Sequence, residues 1–208
     1  IATSQGTLTP NEYFQLHRCT VADFLSGVFY LCWVPVPIAY GFVLFFTKQY
    51  SVCRRFTWAF LLVNLIGFCG YYIHPAAPPW YVMSHGFDFV EGTLGEVAGL
   101  GRFDELVGAN IFHTIYARNA NVFAAIPSLH SAYMVVTFYY SLRASCPIWL
   151  RSLFGVIMLG IWFAAVYSCH HYIIDCLLGV CCAGLGIALM ELCHSHWRDG
   201  FKLGTNKQ

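Results

Sequence analysis

The sequence predicts an all-α protein, a polytopic bundle of transmembrane helices with one long loop on the non-cytoplasmic side. Three observations predict it. Hydrophobic residues make up 58% of the chain and charged residues only 10%, against roughly a quarter charged in an ordinary soluble domain. A soluble fold of 208 residues has too little polar area to coat that composition. Apolar runs approaching the length of a bilayer core also recur along the chain, and basic residues fall unevenly between alternate loops.

Five spans are expected: Phe24 to Thr47, Phe56 to Ile73, Ser128 to Leu142, Ile148 to Tyr167, and Tyr172 to Leu192. The third is short and opens with polar residues, so it has the weakest hydropathy signal. Pro35 and Pro37 should kink the first, which a membrane tolerates when neighbours re-satisfy the freed carbonyls. Gly179, Gly184 and Gly186 in the last are small enough for close helix packing. Residues 1–208 read as one catalytic domain, with Pro75 to Ile126 as a loop within it.

Charge orients the bundle. Lys48, Arg54, Arg55, Arg143 and Arg151 share one set of loops, joined by Arg198, Lys202 and Lys207 in the tail. The other side has Arg18, Arg102 and Arg118, with Asp88, Glu91, Glu96, Asp104 and Glu105. The positive-inside rule places the first set in the cytoplasm. The start of the chain and the long loop then lie outside it, and five spans lead to the expectation of a sixth helix upstream of Ile1. The host membrane is read as a bacterial inner membrane or a Golgi membrane. A net charge of +1 excludes nucleic-acid binding driven by bulk electrostatics. Most of the ten cysteines lie in or beside apolar runs, where a thiol behaves as a small hydrophobe. No pair has zinc-site spacing, so neither a disulfide framework nor a metal site is expected.

The chemistry-bearing residues gather on the non-cytoplasmic face. The second span leaves through His74-Pro75-Ala76-Ala77-Pro78-Pro79-Trp80-Tyr81, and the third begins at Pro127-Ser128-Leu129-His130. The turn between the fourth and fifth reads Ser168-Cys169-His170-His171, followed by Asp175. Antiparallel helices bring these distant segments together. His171 and Asp175, four apart, share a helix face. A carboxylate there fixes the imidazole tautomer and leaves the other nitrogen free to attack, as in a catalytic triad. Asp175 also sits in the first turn of an apolar helix, where an ionisable group is costly; the alternative reading is an acid stabilising the helix N-terminus. Ser128 is an N-cap or a phosphate ligand at a helix start. His130 is the candidate proton donor to a leaving oxygen. His170 orients, packs or touches substrate. Trp80 and Tyr81 either anchor the interface or line a lipid head-group site.

At Pro127-Ser128-Leu129-His130 and His171-x-x-x-Asp175 the chain resembles the type 2 phosphatidic acid phosphatase superfamily. Pro75 to Tyr81, Gly101-Arg102-Phe103-Asp104 and His170-His171-Tyr172 look like the fungal inositol phosphorylceramide synthases. The resemblance covers roughly residues 57 to 180, leaving out the N-terminal 50 residues and the tail. It implies a six-helix transferase needing no metal or other cofactor. In that family the histidine matching His171 attacks phosphorus, Asp175 partners it, and His130 protonates the leaving group. The sphingolipid branch moves phosphoinositol from phosphatidylinositol to ceramide. The phosphatase branch has an Arg six residues before its second catalytic histidine, where this chain has Ala165, and the segment ending at Tyr81 has neither Lys nor Arg. A dianionic monoester would want that positive clamp; a singly charged diester needs less. Arg102, which matches the branch pattern, or Arg118 would supply what remains, and both also read as surface charges. The competing functions are a lipid phosphate phosphatase with water as acceptor, and a transporter or receptor. Against the latter, the ionisable groups cluster at one mouth with no second set to mark an exit.

Overall fold

The computed structural model describes residues 2–3, 6–117 and 121–205, with side chains over 7–117 and 121–196. A two-residue strand pair, Ala2–Thr3 with Gly6–Thr7, precedes a fold that is otherwise helical among the described residues. The chain runs α1 (Pro10–Leu16), α2 (Thr20–Leu31), α3 (Pro35–Phe46), α4 (Tyr50–Ile73), α5 (Pro79–His85), α6 (Gly101–Val107), α7 (Ile111–Tyr116), α8 (Leu129–Arg143), α9 (Ile148–Tyr167) and α10 (Ile173–Thr205). The long loop is thus largely ordered as α5, a 3₁₀ turn at Ala98–Leu100, α6 and α7.

Among the described residues, α4, α9 and α10 (over Ile173–His196) are long and apolar enough to cross a bilayer, and α2 with α3 passes as one span broken by 43°. The break has a local cause. Pro35 and Pro37 lack the N–H groups a continuous helix would need, and each restricts the residue before it. The first expected span is therefore two helices, and α2 starts four residues earlier than the apolar run. Outward-facing Leu61, Leu65, Val156, Leu159, Leu177 and Leu185 give the bundle the apolar coat that lipid requires.

The helix expected as the third span is the odd one. At 15 residues α8 measures about 22 Å, short of the roughly 30 Å hydrocarbon core. It packs against α4, α9 and α10. Ala132, Met134, Val136, Thr137, Tyr140 and Ser141 are all buried. Its polar groups are spent inside the bundle. The Tyr133 hydroxyl bonds Asn64, the Thr137 hydroxyl donates to the Tyr133 carbonyl at 3.0 Å, and the Trp162 indole donates to the Ser131 carbonyl at 3.1 Å. At the basic end Glu191 joins three helices: Arg55 at 2.9 Å, the Tyr140 hydroxyl at 2.9 Å and Arg143 at 3.7 Å.

Two of the three small residues in α10 permit close approach. A Cβ on Gly179 would run into the Ser128 carbonyl, and one on Gly186 would meet Val63. Gly184 differs, because a Cβ there has nothing within 4 Å. Gly179 lets α10 lie directly against the start of α8, which is where the site is built.

Candidate active site

Three chain segments are pinned to one turn between α9 and α10. The carbonyl of Ala165 accepts from the backbone N–H groups of both His170 (3.1 Å) and His171 (3.0 Å). Cys169 makes that tight turn possible by adopting a left-handed φ of 63°, a conformation that costs a non-glycine residue on the order of 1 kcal/mol or more. The Trp80 N–H donates to the Cys169 carbonyl at 3.0 Å, and the Gly99 N–H to the Ser168 carbonyl at 3.0 Å. The third segment reaches the turn through the Ala125 carbonyl, 3.1 Å from His171 Nδ1. It also makes an isolated bridge to Ala76, with the Ala76 N–H donating to the Phe123 carbonyl at 2.9 Å and the Ala125 N–H to the Ala76 carbonyl at 3.3 Å. The Ser128 N–H donates to the Asp175 carbonyl at 3.0 Å. The convergence expected of antiparallel helices is thus written in backbone hydrogen bonds.

His130 and His171 face each other, with His130 Nδ1 at 3.1 Å from His171 Nε2. The other His171 nitrogen, Nδ1, stands 3.1 Å from the Ala125 carbonyl and 3.6 Å from Asp175 Oδ2. A carbonyl and a carboxylate only accept, so the Nδ1 proton stays there and Nε2 keeps its lone pair. His130 must then present its Nδ1 proton towards that lone pair. The two imidazoles thus stand in direct hydrogen-bond contact.

Asp175 serves two ends at once. Its Oδ2 accepts from the Tyr172 N–H at 2.8 Å, the backward half of a capping box at the start of α10, while also lying beside His171. Its Oδ1 is buried with no hydrogen-bond partner among the described residues. The capping and catalytic-partner readings of this residue are geometrically compatible. Direct support of the imidazole N–H comes from Ala125, the closer acceptor.

The remaining expected site residues separate. His170 lines the same cavity as His130 and His171, a space of about 430 Å³ also walled by Phe68, Tyr71, Tyr72 and Trp80. Burial, with repulsion between the two imidazoles when both are protonated, pushes His170 down to about 3. Ser128 is the N-cap of α8, its Oγ accepting from the Ser131 N–H at 3.4 Å; it is fully buried and lines no part of this cavity. Tyr81 is buried too, its hydroxyl donating to the Asp88 carbonyl at 2.9 Å and accepting from the Val90 N–H at 2.9 Å.

Arg102 lies outside the histidine cavity. It lines a neighbouring polar space of about 350 Å³ that shares only Trp80 with the first. Its guanidinium is paired with Asp23, bonds Gln15 at 3.3 Å and lies over the Tyr167 ring. The rest of the Gly101-Arg102-Phe103-Asp104 motif is equally occupied. Phe103 fills the place a side chain on Gly27 would take. Asp104 accepts from the Phe112 and His113 N–H groups at 3.1 and 3.0 Å, and its Oδ2 lies 2.8 Å from His113 Nδ1. Burial acts to raise the Asp104 carboxyl, but the bonds from His113 and Phe112 outweigh it and hold it below the usual carboxylate range. The motif straps α6 and α7 to α2. Arg118 lies outside the described residues.

Four contributors carry no signal in the sequence pattern. Ala125 acts through its backbone. Asn11 is buried and donates to the carbonyls of Val166 (2.8 Å) and His171 (3.0 Å), clamping the turn from the N-terminal side. Tyr30 stacks on the His130 ring at 4.8 Å and Trp33 packs on it at 4.3 Å. All but Ala125 belong to the N-terminal 50 residues, which were expected to add nothing to the resemblance. Ala165, where the phosphatase branch has Arg, is fully buried among Tyr30, Leu100, Phe103 and Phe112.

A family model described as the PAP2 superfamily matches residues 8–189, extending well beyond residues 57 to 180 and taking in Asn11, Tyr30 and Trp33. The chain is 59% identical to the phosphoinositol dihydroceramide synthase of Bacteroides thetaiotaomicron over 88% of its own length and 60% of that protein. It is 30% identical to the inositol phosphorylceramide synthase of Candida albicans over 76% of its length and 35% of that protein. It is 34% identical to the inositol phosphorylceramide synthase catalytic subunit of Saccharomyces cerevisiae over 56% of its length and 29% of that protein. The chain therefore spans less than two thirds of the length of these curated relatives. No solved structure matches it. With the paired histidines in place and the match running from α1 into α10, the chain belongs to the PAP2 superfamily.

Proposed function

We propose that this chain is a single catalytic domain that transfers a lipid head group, moving phosphoinositol from phosphatidylinositol to a ceramide-type acceptor through a phosphohistidine on His171. The observation that carries the reading is the facing pair, His171 Nε2 at 3.1 Å from His130 Nδ1. Phosphorus entering between them displaces that contact. Nε2 attacks phosphorus, the bond to the glyceride oxygen breaks, and that oxygen takes a proton from His130, which enters the step as an imidazolium and leaves it neutral, releasing diacylglycerol. His130 then removes the proton of an acceptor hydroxyl as it attacks phosphorus, and the N–P electrons return to His171. Asp175 and Ala125 balance the positive charge on the phosphorylated imidazole.

The cavity supports a diester over a monoester. Among the described residues its lining has no Lys or Arg, the charges a dianion would require. His170 and Trp80 are the proposed head-group contacts. Ser128 and Tyr81 shape the site from behind, and Arg102 acts on substrate through the neighbouring polar space or as a brace. Protein in phosphatidylinositol vesicles should form little product alone. Added ceramide should yield inositol phosphorylceramide and diacylglycerol in step, with little free inositol phosphate and slow turnover of phosphatidic acid. Brisk hydrolysis of phosphatidic acid, indifferent to ceramide, would make the chain a phosphatase.

The proposed topology has α8 as a shielded span, the third of five in this chain and one of six in the whole protein, with the site on the non-cytoplasmic face. Support comes from the basic cluster around Arg55 and Arg143 at the opposite end of the bundle. After replacement of exposed Cys19, a cysteine at Gly92 should react with an impermeant thiol reagent in intact cells, while one at Gln49 should stay protected. The reverse pattern would put the site in the cytoplasm.

A further inference from the structure

A second cavity reaches His130 from the side away from the first. It holds about 500 Å³, with Leu31, Trp33, Val34, Phe112 and Ile115 among its walls and His130 at its inner end. Among the described residues, only His130 and Tyr116 line both cavities. The Tyr116 hydroxyl is bonded to that of Tyr30 at 3.3 Å, so these rings form a partition with His130 set into it. The two sides differ in chemistry. The first cavity carries all three histidines of the site, whereas the second has no ionised side chain and only His130 among its imidazoles.

The second cavity opens at the break in the α2–α3 span, where Leu31 ends one helix and Pro35 starts the next. That break comes twelve residues from the start of α2, about 18 Å along the helix. The α2–α3 pair passes as one broken span, so on the topology proposed above the break falls within the roughly 30 Å hydrocarbon layer, where lipid chains reach it.

Geometry then fixes which part of a lipid belongs in it. In each half of the transfer the attacking and leaving atoms stand roughly in line across phosphorus. His171 holds one apex in both halves. The departing glyceride oxygen and the arriving acceptor oxygen therefore occupy the same opposite apex in turn, and each exchanges its proton with His130. We propose that the cavity at the broken span is a single hydrocarbon port used twice, first by the glyceride chains of the donor and then by the acceptor's chain. The phosphoinositol head group stays in the histidine cavity throughout. This rests on the transferase reading above and assigns Leu31, Val34 and Ile115 as residues that set chain selectivity for both lipids.

Photoreactive phosphatidylinositol and photoreactive ceramide, each with a diazirine on a chain, test it without turnover. Both should give adducts at Leu31, Val34 or Ile115. Adducts of either lipid at Phe68 or Tyr72, on the far wall of the histidine cavity, overturn the shared port. Ile115 is half exposed, so Ile115→Trp should fold while narrowing the port. It should lower kcat/KM about ten-fold or more for long-chain donor and long-chain acceptor alike, leaving a short-chain pair within about two-fold. A loss confined to one lipid means two separate hydrocarbon sites and ends the proposal. Shared adducts without any ceramide product would instead reject the transferase reading and leave the port standing.

Discussion

His171→Ala is expected to lose about 10⁴-fold or more in turnover, the scale on which a cooperating catalytic unit fails when its nucleophile is removed. That corresponds to about 5 kcal/mol of barrier. The loss should be accompanied by a missing covalent intermediate. Wild-type protein quenched during turnover should carry substrate phosphorus in an acid-labile, base-stable bond, and the variant none. Asp175→Asn should be milder, with a fall of about 10²-fold or more. Ala125 still holds the Nδ1 proton in that variant, and an asparagine oxygen can keep the cap on Tyr172. Folding is monitored through detergent-solubilised thermal stability, which should fall only modestly for His171→Ala, because the lost contacts are confined to Ala125, Asp175 and His130. Labelled phosphorus surviving in His171→Ala would move the nucleophile elsewhere.

His130→Ala should fail differently. Removing a positioned acid and base costs about 10²–10⁴-fold, so transfer from natural phosphatidylinositol should collapse. A donor with a good leaving group needs no proton at the departing oxygen and should still phosphorylate His171. Discharge of that intermediate to ceramide needs His130 as base, so label should accumulate beyond the wild-type level. The contrast between the two variants assigns the roles. Label lost in His130→Ala and kept in His171→Ala would exchange them.

Much of the fold was legible because lipid makes the pattern blunt. The runs ending at Ile73 and Tyr167 stop where the helices stop, and the last begins within one residue of its helix. The first span was read as kinked, where proline chemistry in fact produces two helices and the mouth of a cavity. His130, His171 and Asp175 were legible as a group because their types are costly in an apolar setting. What escaped notice acts without a costly residue type. A carbonyl at Ala125 carries no side-chain signal, and Tyr30 and Trp33 look like any aromatic in a span. Arg102 is a different case: a charge in a motif invites a substrate contact, and the structure also pairs it with Asp23, 79 residues away. Long-range pairing of that kind is invisible to spacing along one chain.

The enclosed position of α8 has a consequence for how the protein is made. The Tyr133 and Tyr140 hydroxyls find their partners, Asn64 and Glu191, only once α4 and α10 stand beside α8. A lone α8 leaving the ribosome is too short and too polar to partition into hydrocarbon by itself. Residues 144–147 join it tightly to α9, whose apolar sequence partitions readily. The two should enter as a hairpin, with the fourth span pulling in the third. Glycosylation-tagged fragments provide the measurement: α8 alone should fail to insert, and α8 with α9 should succeed. Unaided insertion of α8 would mean that its burial reflects the finished site alone and imposes no order on biogenesis.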